Sequence, residues 1–249
     1  MLDQPLACGH SLLHRIDPRV RLVTATGSAV CLALLHTREA AVAGLGMGAI
    51  LLLLSCPPWR VIVRRLLAIN AFLLFLCLLT PFSVAGVAAF HLGPLPATWE
   101  GFHFSLLIWL KSNALALFFL ALVASIPVPT TGYALQRLHC PAKLVFLLLF
   151  AGRYIHDVAE EWQTMLTAAR LRGFRARTNA HTYRTLASLL GLLLLRGYER
   201  AHRVHEAMLL RGFRQRFACV TPFHARPHDA IFALALTLGM AALVWLEFR

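Results

Sequence analysis

Acidic side chains are scarce in this chain, which has 11 Asp and Glu residues against 24 Lys and Arg residues. None of the acids falls in the middle of a hydrophobic run, and Lys111 is the clear ionisable residue inside one. Ion-coupled carriers and proton relays normally need such groups near the bilayer midplane. The chain also lacks a Gly-x4-Gly-Lys-Ser/Thr sequence, so it has no P-loop for a nucleotide. We interpret Glu160 and Glu161 as helix-face partners of Arg residues. The sequence therefore predicts a protein that is not an enzyme.

The six cysteines show no metal-type pairing. His202 and His205 at i, i+3 permit two-point contact with a metal, but we do not expect a third ligand to join them. We interpret this helix face as solvated and predict free thiols, no cofactor and no metal site. Two further histidine pairs have i, i+4 spacing, and the cysteines stand apart: His10/His14, His224/His228, Cys8, Cys31, Cys56, Cys77, Cys140 and Cys219.

Long hydrophobic runs are what the chain has instead. Hydrophobic residues make up 59% of its 249 residues, and the mean hydropathy is +0.67. A membrane-spanning helix needs about 20 mostly apolar residues. We therefore predict an all-α integral membrane protein with about five transmembrane helices and no cleavable signal peptide. The candidate spans are Leu22–Leu35, Ala40–Ser55, Leu66–Phe82, Phe104–Ile126 and Ala230–Leu246.

The net charge of +13 follows the membrane topology and does not indicate nucleic-acid binding. Twelve Arg residues lie between Arg153 and Arg216, whereas Val84–His103 contains no Lys or Arg. Since positive residues favour the cytoplasmic side, we predict a multi-pass protein of the cell (inner) membrane with a cytoplasmic N-terminus. The loop around Gly93–Pro96 is predicted to be external and irregular. The predicted division is residues 1–126 for four spans, 127–227 for a cytoplasmic coupling domain, and 228–249 for the last span.

The predicted cytoplasmic domain consists mainly of two long amphipathic helices, from about Lys143 to Arg172 and from about Tyr183 to Arg211. A short helix capped by Thr130 or Thr131 precedes them. The apolar runs Leu144–Phe150 and Leu186–Leu195 are too short to cross a bilayer. We expect them to pack against the membrane domain, although a re-entrant segment or an extra span remains an alternative.

A short repeat marks the ends of these two helices: AARLRGF at Ala168–Phe174 and AMLLRGF at Ala207–Phe213, 39 residues apart. Each follows a stripe of apolar residues with the helical period of 3.6. The Gly behind each Arg suits the left-handed position that closes a helix. The sequence thus predicts two equivalent tips, suited to a partner with two equivalent sockets. The predicted coupling residues are Ala168, Leu171, Arg172, Gly173, Ala207, Leu210, Arg211 and Gly212.

These features resemble the transmembrane (T) subunit of energy-coupling-factor (ECF) ABC transporters, specifically its cobalt-uptake CbiQ branch. The resemblance rests on Ile16–Val20 before the first span, on Thr130–Thr131, on Arg153–Ile155 and on the paired tips. The family signature is Ala-Arg-Gly, and Leu171 and Leu210 replace its Ala here. Arg and Gly carry over, whereas a contact that needs a small residue does not.

The resemblance implies a non-catalytic scaffold. Its coupling helices would lie across a pair of ABC ATPase subunits, and ATP-driven movement would tilt a separate substrate-binding membrane subunit, which would hold the Co²⁺. A T subunit of a nickel, biotin or shared vitamin importer has the same architecture and stays open. A stand-alone membrane channel or enzyme would need polar groups converging inside the bilayer, which the sequence does not offer.

Overall fold

A computed structural model describes residues 16–55, 58–84, 88–92, 95–213 and 227–248. They form two compact units, whose described parts are residues 16–134 with 227–248, and residues 135–213. The expectations for Cys8, Cys56, Cys219, His10, His14 and His224 fall outside these ranges. The helices are α1 (Pro18–Leu34), α2 (Arg38–Ser55), α3 (Trp59–Ser83), α4 (Trp99–Leu122), α5 (Val128–Arg137), α6 (Ala142–Leu171), α7 (Ala180–Leu210) and α8 (Pro227–Glu247).

The first unit is the helical membrane domain that the hydropathy predicts, and the all-α membrane class is confirmed. Among the described residues, α2, α3, α4 and α8 are long and apolar enough to cross a bilayer. Helix α1 has 17 residues, about 25 Å at 1.5 Å per residue, so a fifth crossing by α1 stays a prediction. One boundary differs from the sequence prediction. Helix α3 begins at Trp59, and its first two turns contain Arg60, Arg64 and Arg65, which we expected between spans.

Helix α4 is the centre of this unit and packs against α1, α2 and α3. Phe118 and Leu122 on α4 and Leu32 on α1 are almost completely buried in its core. Helix α2 can approach α4 closely because residue 48 is glycine. A Cβ at this position would lie 3.1 Å from Leu117 Cβ and 3.2 Å from the Phe118 ring. Small residues at such positions let membrane helices approach each other closely.

Helices α1 and α8 run parallel, because each end of α8 contacts the corresponding end of α1. At the start, the Asp17 amide donates to Asp229 Oδ1 over 3.0 Å. At the finish, the amides of His36 and Thr37 donate to the two Glu247 carboxylate oxygens, at 2.8 and 3.0 Å. Asp17 also caps α1 by accepting from the Arg19 amide, and Pro18 occupies the first helical position, where its missing N–H costs no hydrogen bond.

Arg21 places the end of α4 beside the start of α1. This side chain is 2% exposed and donates to the carbonyl oxygens of Ala121 and Leu122, at 3.3 and 2.9 Å, and to Ser125 Oγ. These carbonyls belong to the last turn of α4, where a helix leaves its C=O groups without intrahelical partners. The start of α1, the end of α4 and the start of α8 therefore lie at one end of this unit, which we call the Arg21 end.

Two predicted details of this unit were wrong. The Gly93–Pro96 segment was expected to be irregular, but Leu95 and Pro96 belong to β2 (Leu95–Thr98), which pairs antiparallel with β1 (Ala88–Leu92), and residues 93–94 lie outside the described ranges. Pro is tolerated at the start and at the edge of a strand, so its presence did not exclude regular structure here. The second error concerns α5, which begins at Val128, so Thr130 and Thr131 lie inside the helix and do not cap it.

Polar side chains inside the bundle bind other helices. Asn70 on α3 and Asn113 on α4 exchange two amide hydrogen bonds, at 2.9 and 3.0 Å. Lys111 Nζ donates to the Ala33 carbonyl oxygen, 3.0 Å away in the last turn of α1, so this ammonium group caps α1.

The second unit contains α6 and α7, of 30 and 31 residues. The bounds agree with the predicted long helices to within about three residues, and residues 172–179 form the predicted break. Pro141 precedes α6, and Asn179 stands at the N-cap position of α7.

Candidate functional site: two matched helix tips

Both tips end in the same hydrogen-bonded cap. At the end of α6, the Gly173 amide donates to the Arg170 carbonyl and the Phe174 amide donates to the Ala169 carbonyl, each at 3.0 Å. Gly212 and Phe213 make the equivalent bonds to Leu209 and Met208 at the end of α7, at 2.9 and 3.0 Å. This pair of bonds defines a Schellman motif, which needs a left-handed residue behind the helix. Gly173 and Gly212 supply it, with φ of +86° and +76°.

Each cap presents an exposed Leu-Arg pair. Leu171 is 85% exposed and Leu210 is 90% exposed, which is unusual for leucine. Arg172 and Arg211 stand at the C-cap positions and are exposed, as are Ala168 and Ala207 one turn earlier. Within the described residues no ion pair involves either Arg. The structure therefore places all eight predicted residues on two exposed, matched surfaces.

The apolar stripe that leads to the second tip lines a groove of about 520 Å³ between α6 and α7, with Gly197, Ala201, Val204 and Met208. Val158, the first residue of the stripe on α6, also lines this groove. An aromatic series on α6 extends the wall, with Phe146 stacked on Phe150 at 4.4 Å between ring centroids and Phe150 on Tyr154 at 5.6 Å. At the far end Phe146 meets Phe213, the last residue of the second cap, at 5.9 Å.

Ion pairs show that α6 and α7 run antiparallel. Glu161 on α6 binds Arg196 at 3.2 Å and Arg200 at 2.9 Å, and Arg200 also approaches Asp157 at 3.5 Å. We call Asp157, Glu161, Arg196 and Arg200 the four-charge cluster. Arg172 follows Glu161 by eleven residues, and Arg211 follows Arg200 by eleven. Each tip thus lies about 16 Å along its helix from the cluster, in opposite directions.

The sequence did not predict this cluster. We interpreted Glu160 and Glu161 as helix-face partners of Arg residues, and the Arg residues that bind Glu161 belong to the other helix. A signal was present, because Glu161 and Arg200 are 39 residues apart and so occupy equivalent positions in the repeat. Equivalent segments that run antiparallel are related by a local two-fold axis, and equivalent residues can meet on it.

The histidine pair on α7 does not converge on one point. His202 Nε2 lies 3.2 Å from Glu206 Oε1, and its ring stacks on Tyr198, whereas His205 lines the groove. Among the described residues, no three His, Cys, Asp or Glu side chains cluster as metal ligands. The expectation of a solvated helix face is consistent with the exposure of His202 and His205.

Comparison with known proteins identifies the family. The family model described as "Cobalt transport protein", CbiQ, matches residues 9–219. This chain belongs to the CbiQ family. The match covers α1 to α7 and both tips, so this CbiQ-family chain is the T component of an ECF transporter, in the CbiQ-like branch.

Individual relatives point to the same component. An energy-coupling factor transporter transmembrane protein EcfT of Heliobacterium modesticaldum is 29% identical over 218 residues, which is 82% of this chain and 80% of the relative. The nickel permease LarQ of Lactiplantibacillus plantarum is 31% identical over 46% of this chain and 39% of the relative. The cobalt transport protein CbiQ of Rhodobacter capsulatus is 28% identical over 49% of each chain.

Proposed function

We propose that this CbiQ-family chain is the coupling scaffold of an ECF importer, and that its two tips dock on a pair of ABC ATPase subunits. The observation that carries the proposal is the matched pair of Schellman caps, each with an exposed Leu and Arg, at opposite ends of an antiparallel helix pair. Two equivalent ATPase subunits offer two equivalent sockets, which suits a repeated tip. Movement of these subunits is transmitted to a separate substrate-binding membrane subunit.

This division of work needs no catalytic group in the chain. ATP hydrolysis belongs to the ATPase subunits, since the sequence has no P-loop. The membrane helices anchor the chain in the cell membrane, and the N-terminus and the coupling helices lie on the cytoplasmic side. Helix α4 ends and helix α8 begins at the Arg21 end. The chain between them therefore starts and finishes at the end of the first unit that holds Arg19 and Arg21. That arrangement supports the charge-based topology.

Charge reversal at the tips tests the proposal. Arg172→Glu and Arg211→Glu are expected to release the ATPase during purification of the complex and to abolish uptake, while the chain still inserts. Removing one partner of a buried charged pair at an interface costs about 2–5 kcal/mol, which weakens binding more than tenfold. Arg203→Glu, at an exposed arginine of α7 that lies eight residues, about 12 Å along the helix, before the second tip, is the matched control. Normal ATPase retention and normal uptake in the Arg172→Glu/Arg211→Glu double variant would contradict the proposal.

For the cargo we propose Co²⁺, because the matching family is described as a cobalt transport protein. Nickel is the second candidate, because the relative named a nickel permease is 31% identical over its aligned part. The substrate-binding subunit, and not this chain, would select the metal. Uptake of labelled Co²⁺ and Ni²⁺ by the reconstituted complex decides between the two metals. Equal uptake by complexes with and without the substrate-binding subunit would contradict a separate selecting subunit.

A further inference from the structure

We propose that the four-charge cluster fixes the register of α6 against α7 and thereby sets the separation of the two tips. Asp157, Glu161, Arg196 and Arg200 are, in this proposal, positioning residues that act through the helices. The proposal deepens the proposed function, but the cluster and its effect on tip separation can be tested without it.

The charges of the cluster are segregated between the two helices. Both acids lie on α6 and both arginines on α7, one turn apart in each case, so every acid meets an arginine of the other helix. Glu161 is the best protected member, with 17% of its side chain exposed, and it is shared by two arginines. Networks of this kind restrain geometry more than isolated surface ion pairs do.

The cluster also discriminates between alternative registers of α6 against α7. A slip of one helical turn in one direction would place Asp157 opposite Val204, and a slip in the other would place Glu161 opposite Leu192. Either slip leaves an acid facing an apolar residue, whereas the observed register pairs both acids. The apolar walls of the neighbouring groove contain no comparable signal, since one aliphatic contact replaces another at little cost.

The cluster lies at the same distance along the helix from each tip. Glu161 and Arg200 are equivalent in the repeat and touch each other, and Arg172 and Arg211 each follow at the same spacing of eleven residues. The register at the cluster therefore fixes where both caps lie relative to each other. A slip of one turn moves one tip past the other helix by about 5 Å.

Spin-label distances measure this separation directly. The full-length chain, with its six native cysteines replaced, carries nitroxide labels at Leu171→Cys and Leu210→Cys, two exposed tip positions. The α6 reversal Asp157→Arg/Glu161→Arg and the α7 reversal Arg196→Glu/Arg200→Glu should each shift or broaden the distance distribution by several ångströms. The four-residue exchange, which combines both, restores every opposite-charge contact and should return the wild-type distance.

Milder variants keep the test valid if a double reversal fails to fold. Glu161→Gln should broaden the distribution, and Glu160→Gln is its control, because Glu160 makes no ion pair among the described residues. An unchanged distance in both half-reversals, or a combined variant that stays as perturbed as its halves, overturns the proposal. So does an equal effect of Glu160→Gln and Glu161→Gln.

Uptake by the reconstituted complex, with unlabelled variants, separates this inference from the proposed function. Loss of uptake in the half-reversals and its recovery in the four-residue exchange supports both. A changed tip distance with normal uptake supports the positioning role and contradicts the proposed coupling through the tips. An unchanged distance overturns the positioning role whatever the uptake.

Discussion

At the scale of single residues, the position of each tip Arg depends on the backbone conformation of the glycine that follows it. Gly173 and Gly212 have positive φ, and a side chain in that region is strained whatever space surrounds it. A Cβ at either glycine would meet no atom within 4 Å, so strain is the whole cost of a substitution. The same glycine provides the amide that closes the cap, which places the preceding Arg at a fixed point.

Gly173→Ala should destabilise the α6 cap by about 1–2 kcal/mol, because the Cβ of alanine clashes with the backbone in the left-handed conformation. Amide hydrogen exchange across residues 168–179 should become about 5- to 30-fold faster. Gly191→Ala is the matched control, since Gly191 lies inside α7 with nothing within 4 Å of a Cβ. That change should stabilise the helix by about 0.5–1 kcal/mol. Equal exchange in Gly173→Ala and the wild type would contradict the cap assignment.

At the scale of elements, close packing of α2 on α4 and the cap at the end of α4 hold the first unit together. Gly46 and Gly48 illustrate the first, because they lie on the same helix with different surroundings. A Cβ at Gly46 meets nothing within 4 Å, whereas one at Gly48 meets Leu117 and Phe118. Arg21 illustrates the second, since it satisfies carbonyls that α4 cannot satisfy by itself.

Gly48→Val should destabilise the first unit by about 1–3 kcal/mol, the usual cost of overpacking a well-packed core. Gly46→Val adds the same atoms on the same helix and should have a much smaller effect. Thermal unfolding of both variants in detergent measures the difference. A similar loss of stability in both would mean that α2 does not approach α4 through Gly48.

Arg21→Gln should cost on the order of 2–3 kcal/mol, because the variant cannot make the hydrogen bonds from a charged donor to buried carbonyls. Arg38→Gln, at an exposed position in the first turn of α2, should change the unfolding free energy by less than about 0.5 kcal/mol. The same unfolding assay compares them. Equal midpoints for Arg21→Gln and the wild type would refute the cap at the Arg21 end.

At the scale of the whole molecule, topology follows from charge and from the direction of the helices. Helices α1 and α8 are parallel, so both begin at the Arg21 end. By the positive-inside rule we predict that the Lys/Arg-free segment 84–103 and the Arg-rich segment 153–216 lie on opposite sides of the membrane.

A cysteine at Ala97, in a background without other reactive cysteines, should react with an impermeant thiol reagent added to intact cells. A cysteine at Arg177 should react only after the membrane is opened, because we place the Arg-rich helices in the cytoplasm. Labelling is followed by mass shift in each case. The reverse pattern would overturn the cytoplasmic assignment of the N-terminus and of the coupling helices.

The sequence by itself determined the helical membrane class, the long helices α6 and α7, and the two Gly-closed tips. These depend on local properties, namely apolar length, helical period and the conformational freedom of glycine. The tertiary structure decided what depends on residues far apart in the chain: Arg21 on the end of α4, Lys111 on the end of α1, and Glu161 shared by Arg196 and Arg200. In each case the sequence shows a charged side chain, whereas the packing of distant segments determines which group that side chain binds.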